Sequence, residues 1–112
     1  MAKYGNLKLV VTIVREEYAD EVFNKYKENG IEGWTVTKAR GASKESQDKI
    51  LGMPIEPQKE IIFTVVEDKD TDHALELAEK AGNLSDEGNG LSCVVDVEKA
   101  IGILASKPIT TS

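Results

Sequence analysis

Residues 7–14 read LKLVVTIV and residues 15–29 read REEYADEVFNKYKEN. The first segment is apolar and β-branched almost throughout, which predicts a strand that is buried on both faces or lies at the centre of a sheet. Apolar residues of the second segment recur with helical spacing, which predicts an amphipathic helix with the stripe Tyr18, Val22, Tyr26 and the flanking Ala19 and Phe23. Gly30 follows where a glycine commonly ends a helix.

The rest of the chain extends this strand and helix into an α+β fold. Period, β-branching and turn residues predict strand Gly33–Arg40, loop Gly41–Gln58, strand Lys59–Glu67, helix Asp70–Ala81, loop Asn83–Gly90, strand Leu91–Val95, a short helical turn Glu98–Leu104 and a weakly ordered tail from Ala105. The order βαββαβ predicts a ferredoxin-like sandwich in one domain, residues 1–112, whose antiparallel sheet carries helices on one face.

The opposite face of that sheet also carries apolar side chains. Neighbouring strand residues, which point to opposite faces, are apolar at Leu9, Val10 and Val11 and again at Ile61 and Ile62. We therefore expect the open face to be buried by association of several copies of the chain.

Composition excludes several classes of partner. The formal net charge of -6 and the pI near 4.8 argue against nucleic acid and against an anionic membrane surface. The start of the sequence, MAKYG, does not resemble a secretory signal, and no apolar stretch is long enough to span a membrane. The single cysteine, Cys93, cannot form an internal disulfide. These features predict a cytoplasmic protein.

Residues 30–41, GIEGWTVTKARG, resemble the second strand of the PII signal-transduction family, which has a G-I-x-G-x-T-V-T-x-x-x-G run before a long T-loop. The resemblance continues at Lys59, at Gly88-Asn89-Gly90, where the family has the G-D-G of its B-loop, and at residues 97–101, VEKAI, where it has V-E-E-A-I. It covers about residues 7–104 and identifies the chain as similar to a divergent, PII-like branch.

The resemblance implies a homotrimer that binds an adenine nucleotide, as effector and not as a tightly bound cofactor, in clefts between subunits. The T-loop, about residues 41–58, would then control a target protein such as a membrane transporter or a metabolic enzyme. Together with the chemistry of the residues, the resemblance implies nucleotide binding by Ile13, Thr35, Thr37, Gly41, Lys44, Lys59, Val65, Gly88, Asn89 and Gly90.

The residue types near the B-loop, about residues 83–90, independently suit a small anionic ligand. Glycines at 88 and 90 allow backbone N–H groups to converge on phosphate oxygens. Lys59 can supply a point charge, and Thr35 and Thr37 can supply hydroxyl groups. Loops as long as residues 41–58 are usually functional or disordered. A plain turn remains the alternative reading of the G-N-G triplet.

Three cations that are usual in the family are absent. Leu91 follows the B-loop where a lysine is usual, and Gly102 and Leu104 replace two arginines. A triphosphate carries about four negative charges and requires cationic partners. The sequence therefore favours ADP, AMP or a cyclic nucleotide over ATP, unless Lys38, Arg40, Lys44 and Lys49 compensate. The T-loop contains no tyrosine, which does not fit regulation by uridylylation.

The remaining reactive residues have structural interpretations. We expect His73 to be an exposed helix residue, Cys93 a small core residue and Trp34 a core or subunit contact. Asp86 and Glu87 lie in a polar turn, where acidic residues are usually solvated. No catalytic residue and no metal ligand is predicted, and the chain is expected not to be an enzyme.

Two alternatives remain open at this point. The chain could be a trimer of the CutA type, or another ferredoxin-like module, that binds a metal ion or a different small metabolite. It could also be a family member that retained the trimer as a scaffold and lost its ligand.

Overall fold

The computed structural model describes residues 2–4, 7–31, 33–40, 49–50, 53–54, 58–102 and 108–111. In chain order its elements are β1 (Ala2–Tyr4), β2 (Leu7–Arg15), α1 (Glu16–Glu28), β3 (Trp34–Arg40), β4 (Lys49–Ile50), β5 (Met53–Pro54), β6 (Gln58–Glu67), a 3-10 turn (Asp68–Asp70), α2 (Thr71–Ala81), β7 (Gly90–Asp96) and β8 (Pro108–Thr111). The predicted βαββαβ order is confirmed in β2, α1, β3, β6, α2 and β7.

These strands form a four-stranded sheet with the order β3-β6-β2-β7. Every neighbouring pair is antiparallel. The two connections β2-α1-β3 and β6-α2-β7 each skip a neighbouring strand, so each half of the chain contributes one central and one edge strand. The α+β class and the ferredoxin-like arrangement expected from the sequence are confirmed.

The hydrophobic core lies between the sheet and the two helices. Alternate residues of the central strands, Val10, Val14 and Ile62, are fully buried on this face. The helices meet them with small or flat side chains, which lets the helix axes lie close to the sheet; the fully buried ones are Ala19, Val22, Tyr26, Ala74 and Ala78. The buried side chains, every second residue in the strands and every third or fourth in the helices, therefore pack together in one layer.

The other face of the sheet is the open face. Register places three rows of apolar residues on the central strands β2 and β6, where Leu9 pairs with Val65, Val11 with Phe63 and Ile13 with Ile61. All six are only partly buried. Burial of this face by other copies of the chain remains a prediction.

The structure differs from the sequence-based description at three places. The helical turn predicted at Glu98–Leu104 is wrong, since residues 98–102 contain no helix: a single turn is marginal without tertiary packing, and Ile101 is 81% exposed. In the tail from Ala105, Pro108–Thr111 forms β8, antiparallel to β1. The long loop also contains a short antiparallel ladder between β4 and β5.

The structure agrees with the expectations for His73 and Trp34 but not with that for Cys93. His73 is exposed, as expected, and its Nε2 lies 3.1 Å from Asn29 Oδ1. Trp34 packs against the core and stacks on Phe23, with ring centroids 5.6 Å apart. Cys93, expected in the core, is exposed because it points to the open face from the edge strand β7.

Candidate functional site

The candidate site lies at the end of the sheet where β2 and β3 finish and β6 and β7 begin. Here Arg15 pairs with Lys59, Lys59 pairs with Ala39, and Val14 pairs with Gly90. Antiparallel order therefore brings the base of the long loop and the glycine turn, residues 83–90, to one edge of the sheet.

The glycine turn is held in shape by its own polar groups. Asn83 adopts a left-handed conformation with φ of 50°. Its carbonyl oxygen accepts from the Asp86 amide at 3.1 Å and from Asn89 Nδ2 at 2.9 Å. The Asn89 side chain is buried, and its hydrogen bond to Asn83 connects the two ends of the turn. The turn is preorganised, which lowers the entropic cost of binding a ligand there.

The amide groups at the tip of this turn are available. Within the described residues, the backbone N–H groups of Glu87 and Gly88 have no hydrogen-bond acceptor. Gly88 has φ of 86°, a left-handed conformation that glycine adopts without a steric penalty. Successive unpaired amides beside a left-handed residue are the pattern of an anion-binding nest.

Lys59 connects the turn to the sheet. The residue is only 8% exposed, and its Nζ donates to the Gly88 carbonyl oxygen at 3.2 Å. A buried ammonium group requires hydrogen-bond partners because its desolvation is costly. The structure therefore places Lys59 at the glycine turn, where it holds the position of Gly88, and its role as a cleft cation remains a prediction.

Gly90 has a purely structural reason to be glycine. A Cβ built at this position would lie 1.8 Å from the Ile13 carbonyl oxygen, and φ is 138°. The residue therefore lets β7 approach the backbone of β2, and this close approach explains its identity without any ligand.

A buried hydrogen-bond chain supports β7 from the core. Tyr26 Oη lies 3.1 Å from Thr12 Oγ1, which lies 2.8 Å from Ser92 Oγ. Burial raises the pKa of the Tyr26 hydroxyl, while its hydrogen bonds to Thr12 and Ser92 act in the opposite direction. The chain joins α1, β2 and β7 two residues beyond Gly90.

A cleft of about 390 Å³ is lined by Arg15, Glu16, Glu17 and Gln58, and Gln58 lies at the base of the long loop, next to Lys59 in the chain. Arg15 was not among the residues predicted from the sequence. Arg15 could have been recognised as a candidate from its position at the end of β2, because this position lies directly opposite Lys59.

The predicted nucleotide-binding residues are spread along the sheet. Ile13 lies on the open face beside Leu91, one row from Lys59, and Thr37 lies opposite Ile61 in the same row. Thr35 lies one row further, while Val65 is six residues along β6 from Lys59, about 20 Å away. Thr35 and Thr37 lie on β3, at the opposite edge of the sheet from β7. Within one chain, the part of the predicted set that lies near the glycine turn is Ile13, Lys59, Gly88, Asn89 and Gly90.

Of the four other predicted cations, the structure describes the side chains of two. Lys38 and Arg40 are exposed. Gly41 and Lys44 lie outside the described residues, as does the side chain of Lys49. In the described ranges, no three His, Cys, Asp or Glu side chains are grouped so that they could hold a metal ion.

A family model described as "Nitrogen regulatory protein P-II" matches residues 7–107. The chain belongs to this family. The match covers the sheet, both helices and the glycine turn, so these elements are the shared PII frame. Proteins of the PII family are signalling regulators and not enzymes, and this chain is a PII-type regulator. No helix in the described part of the chain is long and apolar enough to cross a membrane.

Proposed function

We propose that this PII-type regulator binds an adenine nucleotide at the glycine turn and, through the long loop, controls a target protein. The observation that carries the proposal is the pair of amides at Glu87 and Gly88, which have no acceptor among the residues that the structure describes, with the Lys59 ammonium group 3.2 Å from the Gly88 carbonyl oxygen. Two amides and one cation are the donor set that a phosphate group requires.

The apolar open face supports a homotrimer. Leu91 and Val95 on β7 are 50% and 46% exposed, and they continue the apolar rows of the central strands. Association would remove this surface from water, which is favourable by about 25 cal/mol per Å². The glycine turn borders this face, so a neighbouring subunit would complete the cleft.

The long loop is suited to transmit the ligand state. Its two ends are attached to the last residue of β3, Arg40, and the first of β6, Gln58, which are paired in the sheet. Lys59 immediately follows the second end. An anion that draws Lys59 away from Gly88 therefore acts one residue from the loop, and this is the proposed link to the target.

Isothermal titration calorimetry tests the proposal. The protein is titrated with ATP, ADP, AMP and a cyclic nucleotide, and at least one should release heat with micromolar affinity. Lys59→Met should weaken that binding by about tenfold or more, since a hydrogen bond to a charged group contributes about 1.5–3 kcal/mol. Gly88→Ala should weaken it as well, because alanine keeps the amide group but is strained at a φ of 86° and would displace the amides of the turn.

Lys8→Met is a matched control for Lys59→Met, because Lys8 is a cation of the same sheet at its opposite end, where it pairs with Asp96. It should leave binding unchanged. Absence of heat with every nucleotide would refute the proposal, as would equal effects of the two lysine variants. Sedimentation should show a trimer, and a single subunit in solution would remove the cleft between subunits.

A further inference from the structure

We propose that Arg15 is a second cationic anchor for the ligand, and that Glu17 occupies it as an internal competitor when no ligand is bound. The inference rests on the proposed function, since it names a further binding residue of the same site.

Arg15 lies in the correct place for this role. It is the Cα partner of Lys59, so both side chains leave the sheet on the open face at its last row. Lys59 extends past β2 to Gly88, and Arg15 lines the adjoining cleft together with Gln58. A ligand that contacts Lys59 can therefore place a second anionic group in the cleft beside Arg15.

The hydrogen-bond state of Arg15 indicates that its donors are not fully used. Its Nε lies 2.9 Å from Glu17 Oε1, yet the N–H group does not point at this oxygen. The buried Nε atom therefore has no hydrogen-bond acceptor within the described residues. A buried, unsatisfied donor is unfavourable, so an anion that accepts from this nitrogen would relieve the cost.

Glu17 is positioned as the competitor. Its carboxylate is 62% exposed, against 40% for the Arg15 side chain, and it lies in the first turn of α1, where a negative charge is also stabilised by the helix dipole. An exposed ion pair contributes little to stability. A phosphate group that binds Arg15 with directed hydrogen bonds can therefore displace Glu17 at small cost.

The arrangement also explains the class of ligand. Acidic side chains accompany both described cations: Glu16 and Glu17 line the cleft with Arg15, and Asp86 and Glu87 precede Gly88 in the glycine turn. Two cations beside four carboxylates disfavour a triphosphate most, because its charge is the largest, and a mono- or diphosphate less. Discrimination between mono- and diphosphate should then depend on Arg15.

Calorimetry with AMP and ADP on two variants tests this. Arg15→Gln should weaken ADP about tenfold or more and AMP by less, because only the second phosphate reaches Arg15. Glu17→Gln should strengthen ADP about two- to fivefold, the equivalent of one released surface ion pair. In the double variant the gain from Glu17→Gln should vanish.

Matched controls separate this effect from general electrostatics. Lys8→Gln removes one cation from the far end of β2, and Glu21→Gln removes one exposed carboxylate from the same helix. Neither should change either affinity. If wild-type protein binds ADP and both Arg15→Gln and Glu17→Gln leave it unchanged, the anchor is refuted while the proposed function stands. If wild-type protein binds no nucleotide, the proposed function fails first.

Discussion

Replacement of Gly90 by alanine should be among the most damaging single changes in this protein. The added Cβ would lie 1.8 Å from the Ile13 carbonyl oxygen and 2.8 Å from its carbon. To bring the first contact to 3.0 Å, the limit that real Cβ atoms respect, β7 and β2 must separate by about 1.2 Å. Both atoms belong to the backbone, so no side-chain rotation can relieve the clash.

The size of the effect follows from two contributions. A φ of 138° places alanine in a region that costs about 1–3 kcal/mol. Separation of the strands also breaks ladder hydrogen bonds at the Val14–Gly90 pair, at about 1 kcal/mol each. We therefore expect a loss of about 3–5 kcal/mol, a large share of the roughly 5–15 kcal/mol that stabilises a typical domain.

Gly30→Ala is the matched control. Gly30 also has a positive φ, 79°, but an added Cβ there meets no atom within 4 Å. This substitution should cost only the left-handed conformation, about 1–2 kcal/mol. Urea denaturation, followed by circular dichroism, measures both. Equal losses for Gly30→Ala and Gly90→Ala would refute the close approach of β7 to β2.

Three further predictions concern the core and the surface. Tyr26→Phe should lower the free energy of unfolding by about 1 kcal/mol at neutral pH. Because burial raises the pKa of Tyr26 in the folded protein, the stabilisation from its hydroxyl group is complete below the pKa of the unfolded chain, near 10, and is lost as pH rises toward the folded pKa. Urea denaturation at alkaline pH should therefore show a smaller loss of stability in the variant than in the wild type. The hydrogen bond from Lys8 holds the pKa of Asp96 below its ordinary value; NMR titration should show this, and Lys8→Gln should return it upward. Phe23→Ala should shift the fluorescence of Trp34 to the red, since the stacked ring at 5.6 Å is replaced by water; an unchanged spectrum would contradict the stacking.

The sequence predicted the central fold because its patterns were unambiguous there. The segment LKLVVTIV predicted a strand that is buried on both faces or central, and β2, Leu7–Arg15, lies between β6 and β7. The stripe on the first helix was confirmed by full burial of Val22 and Tyr26. In both cases burial of apolar area supplies most of the stabilisation, and it leaves a strong periodic signal in the sequence.

The misjudged segments lack such a signal. β1 and β8 pair across the whole length of the chain, and no local pattern reveals a partner more than a hundred residues away. The turn expected at Glu98–Leu104 matched helical spacing, yet Ile101, the largest apolar side chain of its described part, is 81% exposed. The β4–β5 ladder consists of two residues in each strand, too few for alternation to be recognised.

The candidate site was only partly predictable from the sequence. A residue can bind a ligand only if its polar groups are not already occupied by packing or hydrogen bonds within the fold, and the sequence does not show those contacts. The sequence placed Lys59 and the glycines near one another, but it assigned Gly90 to ligand binding along with Gly88. The structure gives Gly90 an independent packing role, so loss of binding in a Gly90 variant would not demonstrate a ligand contact. Gly88 is the informative position, because its amide is unpaired within the described residues.

Lys59, like Gly90, has a structural role in addition to the ligand-binding role predicted from the sequence. A lysine that is 8% exposed cannot remain without a partner, since the desolvated ammonium group would be unstable. In the absence of a ligand the Gly88 carbonyl oxygen supplies that partner. A phosphate bound as we propose would compete with this carbonyl oxygen for Lys59, and with Glu17 for Arg15. Each cation of the proposed site thus already has a partner within the protein, the Gly88 carbonyl oxygen for Lys59 and Glu17 for Arg15. Ligand affinity then depends on how much more strongly the phosphate binds each cation than that partner does, and not on the number of positive charges.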